Sequence, residues 1–246
     1  MRSYEEQVQK ELVIWERQML RRPGLVERTS KQVQGKINNM LPEKFRQALT
    51  IAVKSMVKTV LFGIEYVPAG VPLRGLSLQE RDRRARALLV RYKRLGAVEG
   101  AGTGAGGIAL GLADFPALLA IKMKFLFELA HIYGFSTQDY RERLYLLHVF
   151  QLTFSGRDKR PDLFGALVQW EKTVENLPIS ENYLQQIDWE QFQREYRDAI
   201  DLRKTLQLLP GLGIVAGAWA NYSLLEDLGK VGINCYRMRL LGRQYV

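Results

Sequence analysis

The sequence contains few of the residues from which covalent cross-links and metal centres are built. It has one cysteine, Cys235, and two histidines, His131 and His148, among 246 residues. A single cysteine excludes an internal disulfide framework and a four-cysteine zinc site. Glu128 and His131 form E-x-x-H, which is half of a di-iron helix-bundle site, but the sequence lacks the second E-x-x-H. We therefore expect no metal and no cofactor.

Motifs of common enzyme classes are also missing. Neither G-x-S-x-G nor H-E-x-x-H occurs. The adjacent acids Glu226 and Asp227 cannot act as a carboxylate dyad on a helix, because neighbouring side chains point apart. We favour a protein without enzymatic activity, and an enzyme remains the alternative. The N-terminal stretch MRSYEEQVQKE has no apolar signal core, which together with the single cysteine favours a cytoplasmic location.

Strand patterns with a period of two residues are lacking, and helix signals dominate the chain. Ser3 with Glu6 forms a capping box at the start of a first helix, and Pro210 interrupts a late one. We predict an all-α fold, a multi-helix and bundle-like domain. Residues 1–76 are predicted to form an N-terminal helical region and residues 77–246 a larger helical domain, together one continuous fold.

Glycine is concentrated in the stretch GAGTGAGGIALGLADF, residues 100–115. Gly102, Gly104 and Gly107 satisfy G-x-G-x-x-G, which binds a pyrophosphate when it follows a strand and opens a helix. The residues before it, LLVRYKRLGAVE, are charged and helical in pattern rather than a strand. The stretch is therefore not expected to be a dinucleotide-binding loop.

The alternative is a helix with a bare glycine face. Gly107 and Gly111 lie four positions apart, and the same spacing recurs 106 residues later at Gly213 and Gly217. Small residues at this spacing allow two helix backbones to approach closely. We predict that the two Gly/Ala-rich apolar segments pack together through these four glycines.

The same two segments raise the question of membrane insertion. Residues 100–121 carry one charge, Asp114, and residues 205–225 carry none. Both have about the 20 residues needed to span hydrocarbon. Pro116 and Pro210 interrupt them, however, and two buried core helices would look similar. Both alternatives stay open: core helices of a soluble or peripheral protein, or insertion as a hairpin pair.

Positive charge is distributed unevenly along the chain. The net charge is +10, but residues 158–204 carry seven cations and ten anions, which leaves +13 on the rest. The densest run, RDRRARALLVRYKR at residues 81–94, holds seven cations and one anion. Such a run is either a solvated helix face or a contact with an anionic membrane surface. The residues predicted for that contact are Arg81, Arg83, Arg84, Arg86, Arg91, Lys93 and Arg94. No nucleic-acid motif accompanies the run, so nucleic acid is not an expected partner.

Several motifs, in order, resemble the EcsC family over roughly residues 85 to 242. They are GLADFPALL, ELAHIYGF, YRERLYLLHVF, LPGLGIVAGAWANY and RMRLL. The resemblance implies a bacterial protein that is encoded in some genomes beside an ABC exporter. It also draws attention to the polar residues Asp114, Asn221, Glu142 and Arg143, which lie within these motifs.

Two functional hypotheses follow. The first is a membrane-associated accessory or scaffold protein at the inner face of the cell membrane, with a transporter or another membrane protein as partner. The second is an enzyme or binding protein for a lipid or hydrophobic ligand, in which Asp114, Glu128 or His131 lines an apolar pocket. Asp114 and Asn221 occupy neighbouring places in the two apolar segments. If those segments pack together, both groups need hydrogen-bond partners, so Asp114→Ala is expected to destabilise the fold.

Overall fold

The computed structural model describes residues 3–21, 43–62, 70–105, 115–157, 159–175 and 213–242. Every regular element within these ranges is a helix, which confirms the all-α prediction. In chain order they are α1 (Tyr4–Leu20), α2 (Glu43–Phe62), α3 (Leu78–Ala105), α4 (Phe115–Tyr133), α5 (Tyr140–Phe154), α6 (Arg160–Val168), α7 (Trp170–Glu175) and α8 (Gly213–Leu240).

Side-chain caps define where several helices begin. The hydroxyl of Ser3 accepts a hydrogen bond from the backbone N–H of Glu6 at 3.2 Å, as the capping box predicted. Ser77 caps α3 in the same way, accepting from the N–H of Glu80 at 3.3 Å. Asp139 accepts from the N–H of Arg141 at 2.9 Å and opens α5. Each cap satisfies a backbone donor that the first turn of a helix leaves unpaired.

The two longest helices, α3 and α8, form an antiparallel pair with the most extensive contact of any two elements. Asp82 of α3 pairs with Arg237 of α8, and Lys93 pairs with Glu226. As the residue number increases along α3, the residue number of the contacting partner on α8 decreases, so the two helices run in opposite directions. Between these pairs, Leu89 packs directly against the backbone at Gly229.

The core lies where α4 and α5 pack against this pair and α2 covers them. Phe125, Leu126, Leu129 and Phe150 are fully buried. α1 contacts α3, α6 and α8, and Trp15 packs edge-on against Phe164 with 5.4 Å between ring centroids. The described helices from the first 76 residues thus pack on the rest of the chain, while the predicted boundary at residue 77 stays a prediction.

None of the helices in the described ranges is long and apolar enough to cross a membrane. Two parts of the predicted apolar segments, residues 106–114 and 205–212, lie outside the described residues.

Candidate functional site

The basic run of the sequence lies on α3, and most of its cations face solvent. The exposed members are Arg83, Arg84, Arg86, Arg91 and Arg94, here named the basic face. With 3.6 residues per turn, Arg83, Arg86, Arg91 and Arg94 lie within an arc of about 140° around the helix axis, so they share one broad side of α3. The basic face is therefore a continuous positive surface along about three turns of α3.

Two of the seven predicted surface cations do not belong to this face. Arg81 is buried, and its guanidinium donates hydrogen bonds to the carbonyl oxygens of Leu73 (3.0 Å), Leu76 (3.2 Å) and Ile132 (2.6 Å). Lys93 turns towards α8, where it pairs with Glu226. We correct the prediction accordingly: Arg81 ties the loop before α3 to the end of α4, and Lys93 joins two helices.

Carboxylates offset part of the charge on the basic face. Glu80 accepts hydrogen bonds from Arg83 and from Arg84, and these bonds lower the pKa of Glu80 to about 2. Arg91 pairs with Glu128 of α4. Within the part of the chain that the structure describes, Arg86 and Arg94 pair with no carboxylate. The face thus keeps a net positive charge, and Arg86 and Arg94 are its most available members.

Apolar side chains are exposed among these arginines. Val90 is 47% exposed, Leu95 46% and Val98 72%. Val90 and Val98 lie four positions before and after Arg94, so they share its side of the helix. A single exposed apolar residue is common on a protein surface, but three on one helix beside five arginines form a mixed surface. Cations and apolar side chains are therefore interspersed on the exposed side of α3.

A second group of polar residues is buried rather than exposed. Asp82 is fully buried, and Arg237 Nη2 lies 2.8 Å from its Oδ2. The hydroxyls of Tyr4 and Tyr133 donate to the two oxygens of Asp82, at 2.6 Å and 2.5 Å. Burial and the Asp82 charge raise the pKa of Tyr133 well above its usual value. Arg237 also reaches Glu11 of α1 at 3.0 Å, so this Asp82 cluster joins α1, α3, α4 and α8.

A neighbouring cluster is built on Glu142. Its carboxylate accepts hydrogen bonds from the hydroxyl of Tyr236 and from Arg239, the latter at 2.6 Å. Burial raises the pKa of Glu142, although Arg239 and Tyr236 act in the opposite direction. The Arg239 guanidinium also lies over the ring of Phe135, 4.1 Å from its centroid. Tyr236 stacks on Tyr133 at 5.1 Å, which places the Glu142 cluster directly beside the Asp82 cluster.

The other polar residues singled out from the sequence lie outside these two clusters, and two of them, His131 and Arg143, share the partner Thr137. Glu128 accepts a hydrogen bond from the hydroxyl of Tyr92 at 2.6 Å. His131 is buried and bonds to Thr137 Oγ1 at 2.8 Å, and burial lowers its pKa. Arg143 donates to the carbonyl oxygens of Thr137, Gln138 and Leu61. The described contacts therefore do not combine Glu128, His131 and Glu142 into one reactive site.

Several predicted residues cannot be compared with the structure. Gly107, Gly111 and Asp114 lie outside the described residues. Gly213, Gly217 and Asn221 lie in α8 at positions where only the backbone is described, so their predicted contacts stay predictions. Across the described ranges, no three His, Cys, Asp or Glu side chains group in a way that could hold a metal ion.

The buried clusters contain residues that sequence reasoning did not select: Tyr4, Asp82, Tyr133, Tyr236, Arg237 and Arg239. One signal was available, because Asp82 is the only acid among the seven cations of the basic run. From the sequence alone, a single acid among cations is expected to face solvent. Its burial becomes apparent only when Arg237, 155 residues later, is known to pack against it.

Comparison with known proteins extends the resemblance to nearly the whole chain. The model of the EcsC protein family matches residues 6–241 and so includes residues 6–84, which lie before the motifs that carry the resemblance. Protein EcsC of Bacillus subtilis (strain 168) is 44% identical over 231 residues, which cover 94% of this chain and 94% of that protein. Uncharacterized protein YdbA of the same organism is 33% identical over 145 residues, 58% of this chain and 51% of its own length. No solved structure matches the chain significantly.

Proposed function

The chain belongs to the EcsC protein family, and we propose that it is a peripheral accessory or scaffold protein which binds an anionic membrane surface through the basic face of α3. The observation that supports this most directly is the exposure of Arg83, Arg84, Arg86, Arg91 and Arg94 on one helix, with Val90, Leu95 and Val98 exposed among them. Arginine favours phosphate groups because its planar guanidinium can donate two hydrogen bonds at once.

The expected strength of this contact is sufficient for reversible binding. A cation close to an anionic leaflet contributes about 1 kcal/mol, and the contribution fades within a Debye length of roughly 8–10 Å. Five arginines, offset in part by Glu80 and Glu128, therefore give a salt-sensitive association. The cytoplasmic leaflet carries the negative surface potential that such a face requires. We accordingly place the protein in the cytoplasm, at the inner face of the cell membrane.

The accessory role extends the proposal to a membrane partner. The resemblance implies that such proteins are encoded in some genomes beside an ABC exporter, and we propose a transporter as the protein that this scaffold serves. The second hypothesis, a protein acting on a hydrophobic ligand, needs Asp114, Glu128 or His131 to line an apolar pocket. Asp114 lies outside the described residues, and Glu128 and His131 hydrogen-bond to Tyr92 and Thr137, so the described contacts offer that hypothesis no support.

Vesicle sedimentation tests the membrane contact. We expect the protein to bind vesicles that contain phosphatidylglycerol, to bind phosphatidylcholine vesicles weakly, and to be released as salt is raised. Arg86→Gln with Arg94→Gln should weaken binding by roughly tenfold or more, since about 1 kcal/mol is lost per cation. The control, Arg17→Gln with Arg21→Gln, removes the same charge from exposed positions at the end of α1.

Two results would reject the proposal. The first is equal binding to neutral and anionic vesicles, because the basic face offers no reason for it. The second is an equal loss in both double variants, which would mean that only net charge matters. In cells, the protein should sediment with membranes and be released by a salt wash.

A further inference from the structure

Charged residues are distributed unevenly along the α3–α8 pair. At one end the charged residues Asp82 and Arg237 are buried against each other, and further along the pair Lys93 meets Glu226. α3 continues from Lys93 with two more charged residues, Arg94 and Glu99, and beyond them the charges stop: residues 100–105 of α3 and 213–225 of α8 contain no Asp, Glu, Lys or Arg. Because the helices are antiparallel, the two stretches lie at the same end of the pair, here named the uncharged end.

Apolar side chains of both helices are exposed near that end. On α3 the exposed fraction is 47% at Val90 and 72% at Val98. On α8, Tyr222 is 41% exposed, and the ammonium of Lys93 lies 4.0 Å above the centre of its ring. Tyrosine with a cation beside it suits the boundary between lipid headgroups and acyl chains. Both helices therefore present lipid-compatible side chains next to the uncharged end.

We propose that the uncharged end of the α3–α8 pair enters the headgroup–acyl boundary of an anionic bilayer, with Val98, Leu95 and Tyr222 buried there and Arg94 on lipid phosphate. This inference rests on the proposed function and adds the orientation of α3, which meets the membrane at an angle with residue 98 deeper than residue 79. Four residues of helix rise about 6 Å, so a guanidinium at Arg94 limits insertion to the 5–10 Å typical of interfacial helices.

The geometry favours this orientation over a helix that lies flat. A flat helix would place Arg83 and Arg84 at the same depth as Val98, although Arg83 and Arg84 are held by Glu80. Entry at an angle instead keeps that charged turn outside the bilayer, where the surface potential still attracts it, and buries the apolar turn. It also agrees with the finding that no described helix can span a bilayer, since shallow entry needs only a few apolar residues.

Site-specific fluorescence tests the orientation. Cys235 is fully buried, and a Cys235→Ala background removes it as a labelling site. An environment-sensitive fluorophore is then placed through Val98→Cys or, as the control, through Gln79→Cys at the exposed start of α3. With phosphatidylglycerol vesicles, we expect a blue shift and quenching by brominated acyl chains at residue 98, and neither at residue 79.

The outcomes separate the two proposals. Similar quenching at both positions, or at neither, while the protein still sediments with anionic vesicles would overturn the inference and leave the proposed function standing. Failure to sediment with anionic vesicles at all would reject both.

A substitution pair tests the apolar contribution directly. At high salt the electrostatic attraction is screened, so the residual binding reports apolar contact. Val98→Ser should lower that residual binding by roughly tenfold, the effect of leaving one valine side chain unburied. Val71→Ser is the matched control, because Val71 is 82% exposed but lies outside α3. Equal effects of the two substitutions would overturn the inference. The inference would also be overturned if Val98→Ser abolished self-association and left vesicle binding unchanged, because this surface would then be a contact between copies of the chain.

Discussion

Asp82 and Arg237 form an ion pair across 155 positions of the sequence, and their side chains are only 1% and 5% exposed. The pair joins the start of α3 to the end of α8. Two residues of α1 also contact it: Tyr4 donates a hydrogen bond to Asp82, and Glu11 forms an ion pair with Arg237. The buried Asp82 carboxylate, which also accepts a hydrogen bond from Tyr133 of α4, thereby joins four helices.

Removal of this carboxylate should be strongly destabilising. In Asp82→Ala, Arg237 keeps its charge in a buried site and loses its nearest anion, so we expect the free energy of unfolding to fall by about 3–5 kcal/mol. Urea denaturation measures the change. Glu175→Ala, which removes an exposed acid at the end of α7, should change stability by less than about 0.5 kcal/mol. A similarly small effect for Asp82→Ala would contradict the structural role of the pair.

The attachment of α1 can be tested through Tyr4. Tyr4→Phe removes the hydroxyl that donates to Asp82 at 2.6 Å, and we expect a loss of about 1–2 kcal/mol because the acceptor is charged and the bond is partly buried. Amide hydrogen exchange across residues 4–20 should become faster. Ile14→Ala changes an exposed side chain of the same helix and should leave the exchange protection nearly unchanged. If both variants exchange alike, the Tyr4 contact does not hold α1 in place.

Acid should weaken the contact between α3 and α8 at Glu226. Hydrogen bonds from Lys93 and Lys230 lower the pKa of Glu226 from its ordinary value of 4.5. The unfolded chain therefore binds the proton more tightly, so this contribution to stability is complete above pH 4.5 and is lost as the pH falls through the folded-state pKa.

Glu226→Gln isolates this effect. The wild-type protein should be more stable than the variant at pH 7, and the difference should shrink below about pH 4.5. Urea unfolding of both proteins between pH 7 and pH 3 measures it. A difference that stays constant or grows as the pH falls would show that the carboxylate contributes nothing through its charge.

Close packing between α3 and α8 predicts opposite effects for two glycine substitutions. A Cβ at Gly229 would lie 2.5 Å from both methyl carbons of Leu89, so Gly229→Ala should destabilise the protein by about 1–3 kcal/mol. Gly165, in α6, has nothing within 4 Å of such a Cβ, and Gly165→Ala should stabilise by up to about 1 kcal/mol through helix propensity. Thermal unfolding compares the two variants.

A second substitution identifies the cause. Leu89→Ala in the Gly229→Ala background should recover part of the lost stability, because it removes the methyl groups that the new Cβ meets. If the stability losses of Gly229→Ala and Leu89→Ala simply add in the double variant, the contact between the new Cβ and Leu89 is not the cause of the destabilisation.

Much of the helical architecture could be predicted because its signals are local. The cap at Ser3 needs only the backbone three residues away, and the apolar period of a helix is visible within a few turns. The clustering of arginines over residues 81–94 is likewise a property of the sequence, and five of them are exposed on α3.

The environment of individual charges could not be predicted in this way. Arg81 and Arg83 are two positions apart in the same basic run, yet Arg81 is buried against three carbonyl oxygens and Arg83 faces solvent. The difference in their burial depends on which side of α3 packs against α4, and the sequence around them does not specify that side. The Glu142 and Arg239 pair, 97 positions apart, illustrates the same limit.

Composition and short-range periodicity are enough to show that the chain is helical, that it is basic along one helix, and that two stretches carry no charge. The antiparallel packing of α3 and α8 is not visible in those patterns. It brings the two uncharged stretches to one end of the pair and buries Asp82 against Arg237 at the other. A buried charge is tolerated only where an opposite charge and hydrogen-bond donors surround it, and here those donors come from α1, α4 and α8, which meet only in the folded chain.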